Sequence, residues 1–462
     1  MADEATLFRL LRAEQKRQAS LGTALEQSNA RLKALEAQIA SSPLDRAAHP
    51  PQRLPQLELV LDHQQYERYG RQMILPEIRL PGQLNLKRAR LLVVGAGGLG
   101  CPALLYLAAA GLTLTVGHIT LLDGDAVSLS NLHRQVVHTE FGASTCQTKV
   151  ESAIEAIGRI NSDVDCRGVA MHFSPSLLAP NAPIDFASYD LVLDCSDNAP
   201  TRYLLDDACM LYKKPLVSGA AIRCEGQLAV WNMPLQTGTI LTCDPDVERG
   251  PSYACVFPPP LDGKLDTGDR CEDEGVLGPI TGVIGVMMAS EAIRLIVGNL
   301  PCQPFLRLYA PFSETPMRTL KIRRRRPESL SAALSRQQRG WPDFSAGMTC
   351  DASNTDSLNR LSAKVALSRI ADGANVLDVR SATEYEMVSL PGAQNIPLSQ
   401  LLKDPSRQAS SLVAPLIVLC RRGNDSVIAA QALRTARPDA NITDVAGGWI
   451  ALASVDPRLP RY

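Results

Sequence analysis

The chain has 462 residues, 47 basic and 48 acidic, and a formal net charge of −1. That length accommodates two or three domains, and that balance removes any bulk electrostatic reason to bind nucleic acid. No apolar run approaches the ~20 residues of a membrane-crossing helix, and Met1-Ala2-Asp3-Glu4 leads into mixed charge, not a secretory apolar core. A soluble, cytoplasmic protein with no membrane or direct nucleic-acid partner is expected. Its 12 cysteines are expected to be reduced buried thiols with a few reactive ones among them.

Residues 1–42 read as a helical or coiled-coil-like extension, because Leu7, Leu11, Leu21, Leu25, Leu32, Leu35 and Ile39 recur at helical intervals. Residues 43–58, with Pro43 and Pro55, read as a linker. A first globular domain is expected over 59–326. Its central stretch is the apolar run Leu91-Leu92-Val93-Val94, then Gly95-Ala96-Gly97-Gly98-Leu99-Gly100, then an alanine- and leucine-rich helix that stops at Gly111. A buried parallel strand running into Gly-x-Gly-x-x-Gly lets the backbone approach a phosphate, with the N–H groups of the helix start aimed at it. Strands at Ile119 to Leu122, Leu191 to Cys195 and Pro215 to Ser218 alternate with helices at Lys149 to Ile160 and Pro200 to Tyr212. This is a doubly wound α/β pattern, and ligands belong at its carboxyl strand ends, where Gly98, Asp123, Asn131 and Asp197 fall.

Asp123 stands where a ribose-binding acid is expected, as it would in a dinucleotide dehydrogenase. The residues after it argue otherwise: Asp125, then Ser130-Asn131-Leu132-His133-Arg134-Gln135, then Lys149. A triphosphate being cleaved calls for such cations, which offset charge on the phosphates and on the departing pyrophosphate.

Further along, Gly226 to Val230 suggests sheet, and 236–278 is irregular. Ile280 to Ile296 reads as an apolar helix, Phe305 to Tyr309 as a strand, and Arg323 to Arg326 as the domain's exit. Residues 327–356 read as a polar linker, and 357–462 as a smaller α/β domain with strands at Val376 to Arg380 and Leu416 to Cys420. Cys420 is followed by Arg421-Arg422-Gly423-Asn424-Asp425-Ser426 and a helix from Val427 to Arg434. A cysteine among inward-pointing N–H groups, with two arginines next to it, favours the thiolate or an anion on sulfur.

With these residues in hand, 60–325 resembles the adenylylating domain shared by ubiquitin-like-protein activating enzymes and their bacterial sulfur-carrier counterparts. The motifs are Arg68-Tyr69-Gly70-Arg71-Gln72, Gly95 to Gly100, Asp123-Gly124-Asp125, Ser130 to Gln135, Lys149, Asp194 to Asn198, and Gly275 to Pro279. Residues 357–462 resemble a rhodanese domain, through Leu377-Asp378-Val379-Arg380, Leu390-Pro391-Gly392-Ala393, the Cys420 loop and Gly447-Gly448-Trp449. In this order the pair resembles the eukaryotic adenylyltransferase and sulfurtransferase family. That family activates the small subunit of molybdopterin synthase and the ubiquitin-related modifier used in tRNA thiolation.

The resemblance implies a Rossmann-like domain that binds ATP through Gly98, Asp123, Ser130, Asn131, Leu132, His133, Arg134, Lys149, Asp197 and Asn198. Asp123 would hold the ribose and Asp197 the Mg²⁺, while Arg134 and Lys149 would neutralise phosphate charge. Arg71 would reach into the ATP site of the other subunit of a homodimer. The resemblance also implies catalytic roles for Cys420, as a persulfide charged by a donor such as a cysteine desulfurase, and for Cys271, as the thiol that releases a thiocarboxylate. Members of the family usually carry a structural zinc on two Cys-x-x-Cys pairs. Here the first pair keeps only Cys255 and the second keeps none. One thiolate cannot hold a tetrahedral zinc, so the sequence predicts no zinc, or a site completed by other residues, and a loosened 236–278 segment. The turn Leu112 to Val116 is longer than the family's, and Ser389 replaces a histidine common in rhodaneses. Two other readings make different predictions. A nicotinamide-dependent oxidoreductase would leave Arg71, Arg134 and Lys149 idle. A catalytically impaired scaffold would bind ATP and a ubiquitin-like protein without pyrophosphate exchange.

Overall fold

Strand β1, Arg90–Val94, is apolar on both sides, and both sides are used: Leu91 and Val93 enter one core layer, Leu92 and Val94 the other. A strand buried on two faces belongs inside a parallel sheet covered by helices. The computed structural model describes residues 26–34, 37, 59–112, 117–179, 181–244, 246–259, 275–298, 303–323, 328–338 and 360–461. Residues up to Gly70 form one unit, helical at 26–34, and Arg71–Tyr462 forms a second. The rest of the predicted N-terminal extension and the linker at 43–58 lie outside the described residues, as does most of the Leu112 to Val116 turn.

The first sheet adds β2 (His118–Leu122), β3 (Cys166–Val169), β4 (Leu191–Asp194), β5 (Leu216–Ile222), β6 (Glu225–Trp231), β7 (Phe305–Tyr309) and β8 (Met317–Lys321). Its order is β3-β2-β1-β4-β5-β6-β7-β8. The pairs from β3 through β5 are parallel, and β6, β7 and β8 extend the sheet antiparallel. The order reverses direction between β2-β1 and β4, so the crevice where ligands bind in such sheets opens beyond β1 and β4.

Helices Gly100–Ala109 and Gly278–Val297 pack on one face of this sheet and on each other. At 20 residues Gly278–Val297 is long and apolar enough to cross a membrane by length and composition, which corrects the reading that no such run exists. Its Ile280, Ile284, Met288, Ala292 and Leu295 lie in the core beneath the sheet. A second correction concerns 327–356. Glu328–Gln338 within it is a helix packed on Ala199–Leu211, with Ala333 buried and Arg336 paired to the carboxylate of Asp207. The polar composition concealed one small residue and one arginine, which suffice for docking because Asp207 is buried and needs a partner.

The second sheet is all parallel, in the order β11-β10-β12-β13-β9. Its strands are β9 (Arg360–Leu361), β10 (Asn375–Asp378), β11 (Gln394–Asn395), β12 (Leu416–Leu419) and β13 (Ile442–Val445). Alternate residues again feed two layers: Leu416 and Val418 one, Ile417 and Leu419 the other. Helix Asp425–Ala436 follows β12 directly and fixes where Cys420 sits.

Candidate active sites

The carboxyl ends of β1, β2 and β4 surround a cavity of about 580 Å³. Its floor is the glycine turn. Gly95 has φ of +103°, and a Cβ there would lie 2.6 Å from the carbonyl oxygen of Cys195, so only glycine lets β1 turn this close to β4. A Cβ on Gly98 would lie 2.9 Å from Thr281 Oγ1, so the long helix presses directly on the turn.

Asp123, just past β2, accepts the N–H of Ala96 at 2.7 Å and the N–H of Asp125 at 2.9 Å. Each oxygen uses one lone pair this way and keeps another for a ligand. Lys149 opens the helix Lys149–Ile160, which Thr148 and Glu151 cap reciprocally. Its side chain is 7 % exposed, and its ammonium donates to Asp125 Oδ2 at 2.7 Å. Burial alone would lower this lysine; Asp123, Asp125 and Asp197 outweigh it and raise the group above its usual range. Lys149 is therefore a permanent buried cation at the cavity wall. Opposite stands the turn after β4. Asp194, fully buried, accepts from Ser196 Oγ at 2.5 Å and Ser218 Oγ at 2.6 Å, and lies 3.1 Å from Arg202 Nε. That lattice leaves Asp197 exposed on the cavity, while Asn198 caps helix Ala199–Leu211 by accepting the N–H of Thr201 at 2.9 Å.

In the second sheet, Cys420 lies at the end of β12, 1 % exposed and inside the core layer. Its sulfur accepts the N–H of Gly423 at 3.0 Å and faces Ser426 Oγ at 3.4 Å. Burial raises the thiol, and it outweighs the lowering by Ser426 and the Gly423 N–H. This corrects the expectation of a favoured thiolate: the loop geometry is as read, but the sulfur sits too deep for two or three donors to offset the desolvation.

The ThiF family matches residues 69–331, and the rhodanese-like domain matches residues 362–454. The chain belongs to the ThiF family. Curated relatives carry both parts. The adenylyltransferase and sulfurtransferase uba4 of Aspergillus terreus is 38 % identical, over 89 % of this chain and 89 % of its own. The adenylyltransferase and sulfurtransferase MOCS3 of Drosophila yakuba is 38 % identical over 96 % of each, and that of Aedes aegypti 39 % over 87 % and 90 %. The chain is accordingly an adenylyltransferase and sulfurtransferase, with a Rossmann-like ThiF domain ahead of a rhodanese-like domain.

The ThiF cavity brings together Gly98, Asp123, Arg134, Lys149, Asp197 and Asn198. Ser130, Asn131, Leu132 and His133 do not line it. Three of them hold Arg134 in place: Asn131 Oδ1 accepts from its guanidinium at 2.8 Å, His133 Nε2 lies 3.3 Å from it, and His133 Nδ1 meets the Ser130 carbonyl at 2.9 Å. Arg71 is exposed on helix His63–Met73 and is not part of this chain's cavity lining. Cys271 lies outside the described residues. Two cavity residues were given no role by the sequence: Gln135, read only as the end of its motif, and Arg202. Gln135 is 4 % exposed, and its Oε1 takes no hydrogen bond from any described residue. Arg202 is called for by the buried charge of Asp194, a requirement that the apolar run before Asp194 already implies.

Cys255 does not offer a zinc site among the described residues. Its sulfur accepts the hydroxyl of Ser252 at 3.2 Å, and among the described residues no three His, Cys, Asp or Glu side chains gather as a metal cluster. Within the irregular segment, Tyr253 to Phe257 have partners of their own. Asp206 accepts the N–H groups of Tyr253 at 2.7 Å and Ala254 at 3.0 Å. The Tyr253 ring packs at 5.1 Å from Tyr203, 5.8 Å from Trp231 and 5.1 Å from Phe257. Asp206→Ala strands both N–H groups and is expected to cost about 2–4 kcal/mol in a denaturant melt, at about 1–3 kcal/mol for each buried donor left unpaired, with some recovery by water.

Proposed function

We propose that the ThiF cavity binds ATP with Mg²⁺ and adenylylates the C-terminal glycine of a ubiquitin-like sulfur-carrier protein, and that Cys420 then delivers sulfur to it as a persulfide. The observation that carries this reading is the single cavity into which Asp123, Lys149 and Asp197 converge. Asp123 is placed for ribose hydroxyls, and Lys149 with Arg134 for phosphate oxygens. Asp197 would hold Mg²⁺, which when bound draws charge from the phosphates. The carrier's carboxylate oxygen bonds to the α-phosphorus, the bond to the bridging oxygen breaks, and pyrophosphate leaves with its charge met by the two cations. The outer sulfur of the Cys420 persulfide attacks the acyl carbon and AMP departs, giving an acyl disulfide. The Cys271 thiolate then attacks Cys420 sulfur, which forms a Cys271–Cys420 disulfide and frees the thiocarboxylate; an added thiol reduces that disulfide.

The carriers in view are the ubiquitin-related modifier and the molybdopterin synthase small subunit. These would place the enzyme in tRNA wobble-uridine thiolation, in protein modification by that modifier and in molybdenum cofactor formation. A cysteine desulfurase fits as donor. A homodimer, with Arg71 entering the other subunit's site, accounts for an exposed arginine in a motif of this family. The test is ATP–pyrophosphate exchange with and without a small protein ending in Gly-Gly. Exchange that requires both the carrier and Mg²⁺ is expected. Bound ATP without exchange would favour the scaffold reading instead.

A further inference from the structure

Behind Cys420 runs a line of buried polar groups that the proposed chemistry does not use. Ser426, fully buried, accepts from the Cys420 thiol at 3.4 Å and donates to Asp444 Oδ2 at 3.3 Å. Asp444, on β13, is 1 % exposed. Its Oδ2 also receives Arg360 Nε and Nη2, each at 3.0 Å, while its Oδ1 takes no hydrogen bond from any described residue. Arg360 lies directly opposite on β9, in the register pair Asp444–Arg360, and its Nη2 donates to the Gly423 carbonyl at 2.6 Å. One arginine thus holds both the carboxylate and the loop residue whose own N–H faces the sulfur.

A carboxylate buried this far with one oxygen unsatisfied is a cost the fold does not need for packing, since its same-face neighbour Ile442 and its register partner Val418 are both apolar. What it does is fix the Ser426 hydroxyl. That hydroxyl has one hydrogen. While it points at Asp444, Ser426 accepts from the Cys420 thiol, and it lowers the thiol only when it turns to donate to the sulfur. A negative charge one hydroxyl away from the sulfur adds repulsion against the anion. Arg360 acts in the opposite sense: it offsets the carboxylate and anchors Gly423 so that its N–H stays on the sulfur.

We propose that Asp444 and Arg360 are positioning residues that set the protonation of Cys420 through Ser426 and Gly423, with Asp444 favouring the thiol and Arg360 the anion. The inference rests on the reading of Cys420 as the sulfur carrier. When a donor persulfide passes on its outer sulfur, Cys420 sulfur bonds to that atom, the donor S–S bond breaks, and the departing thiolate takes the proton that Cys420 gives up. The network governs how readily that proton is released. Asp425 at the start of the following helix acts on the sulfur as a like charge, Arg421 and Arg422 lie in the same loop, and Asp378 and Arg380 at the end of β10 are paired with each other. They stay constant in the test.

The test is the pH profile of Cys420 alkylation by iodoacetamide in the full chain, read as mass on the Cys420 peptide. Asp444→Asn is expected to move the midpoint down by about one pH unit, and Arg360→Met to move it up. In a Ser426→Ala background the Asp444→Asn shift is expected to shrink to less than half. A purely structural role moves both variants in the same direction or leaves both midpoints unchanged, and either result overturns the proposal. If Arg360→Met does not fold, the Asp444–Ser426 cycle decides alone. Thiosulfate loading of wild-type Cys420 is read separately by mass. Shifted midpoints with no sulfur uptake would leave the network standing and remove the sulfur-carrier reading.

Discussion

Lys149→Ala lowers ATP–pyrophosphate exchange about 100- to 1000-fold, the loss expected when one preorganised charge facing the transition state is removed. The size follows from what remains. Asp123, Asp125 and Asp197 all act on this ammonium, and without it a polyanionic substrate meets three carboxylates and Arg134, the other lining arginine, Arg202, being paired with Asp194. The lysine is 7 % exposed, so water cannot take over its charge. Lys149→Arg is expected to recover little. The ammonium donates at 2.7 Å to Asp125 from the first turn of its helix, and a longer planar guanidinium cannot occupy that point without displacing the carboxylate. Sulfur loading of Cys420 from thiosulfate should be unchanged in both variants, since that chemistry belongs to the other sheet. Exchange that survived Lys149→Ala would mean that adenylylation does not occur in this cavity.

The parts of this site legible in the sequence are those where backbone geometry and residue type are locked together. A glycine turn after a two-sided apolar strand fixes Gly95 and Gly98, and an acid just past the next strand fixes Asp123. A capping pair, Thr148 with Glu151, fixes the first residue of the next helix, which is Lys149. The Ser130 to Arg134 run was legible as a unit but not by role, because only the folded loop separates the arginine that enters the cavity from the three residues that hold it. Gln135 was hidden because an amide beside a charged motif looks like part of its solvated edge until burial is known. Helix Glu328–Gln338 was hidden for the converse reason: its docking rests on Arg336 with Asp207, 129 residues apart in sequence. Cys420 shows the limit of reading chemistry from a loop pattern. Strand end, glycine and helix start were all where expected, yet the depth of the sulfur decides its protonation, and depth is a property of the packed layers.

Cys420→Ala is expected to abolish thiocarboxylate formation while leaving carrier-dependent pyrophosphate exchange at the wild-type rate, because the ThiF cavity and Cys420 are built on different sheets. The same burial sets a pH signature. With the thiol raised above its ordinary range, the anionic fraction at neutral pH is small and grows as pH rises, so sulfur uptake by the wild type should climb through the alkaline range. Iodoacetamide at neutral pH should label the exposed Cys146 and Cys224 before Cys420. On the proposed route, burial that slows the thiol does not slow the later step equally, since the attacking atom there would be the added outer sulfur, one bond further from the core. Full thiocarboxylate yield from Cys420→Ala would place the sulfur on another thiol. Cys271 would then be the first to test, as the other cysteine in the proposed reaction.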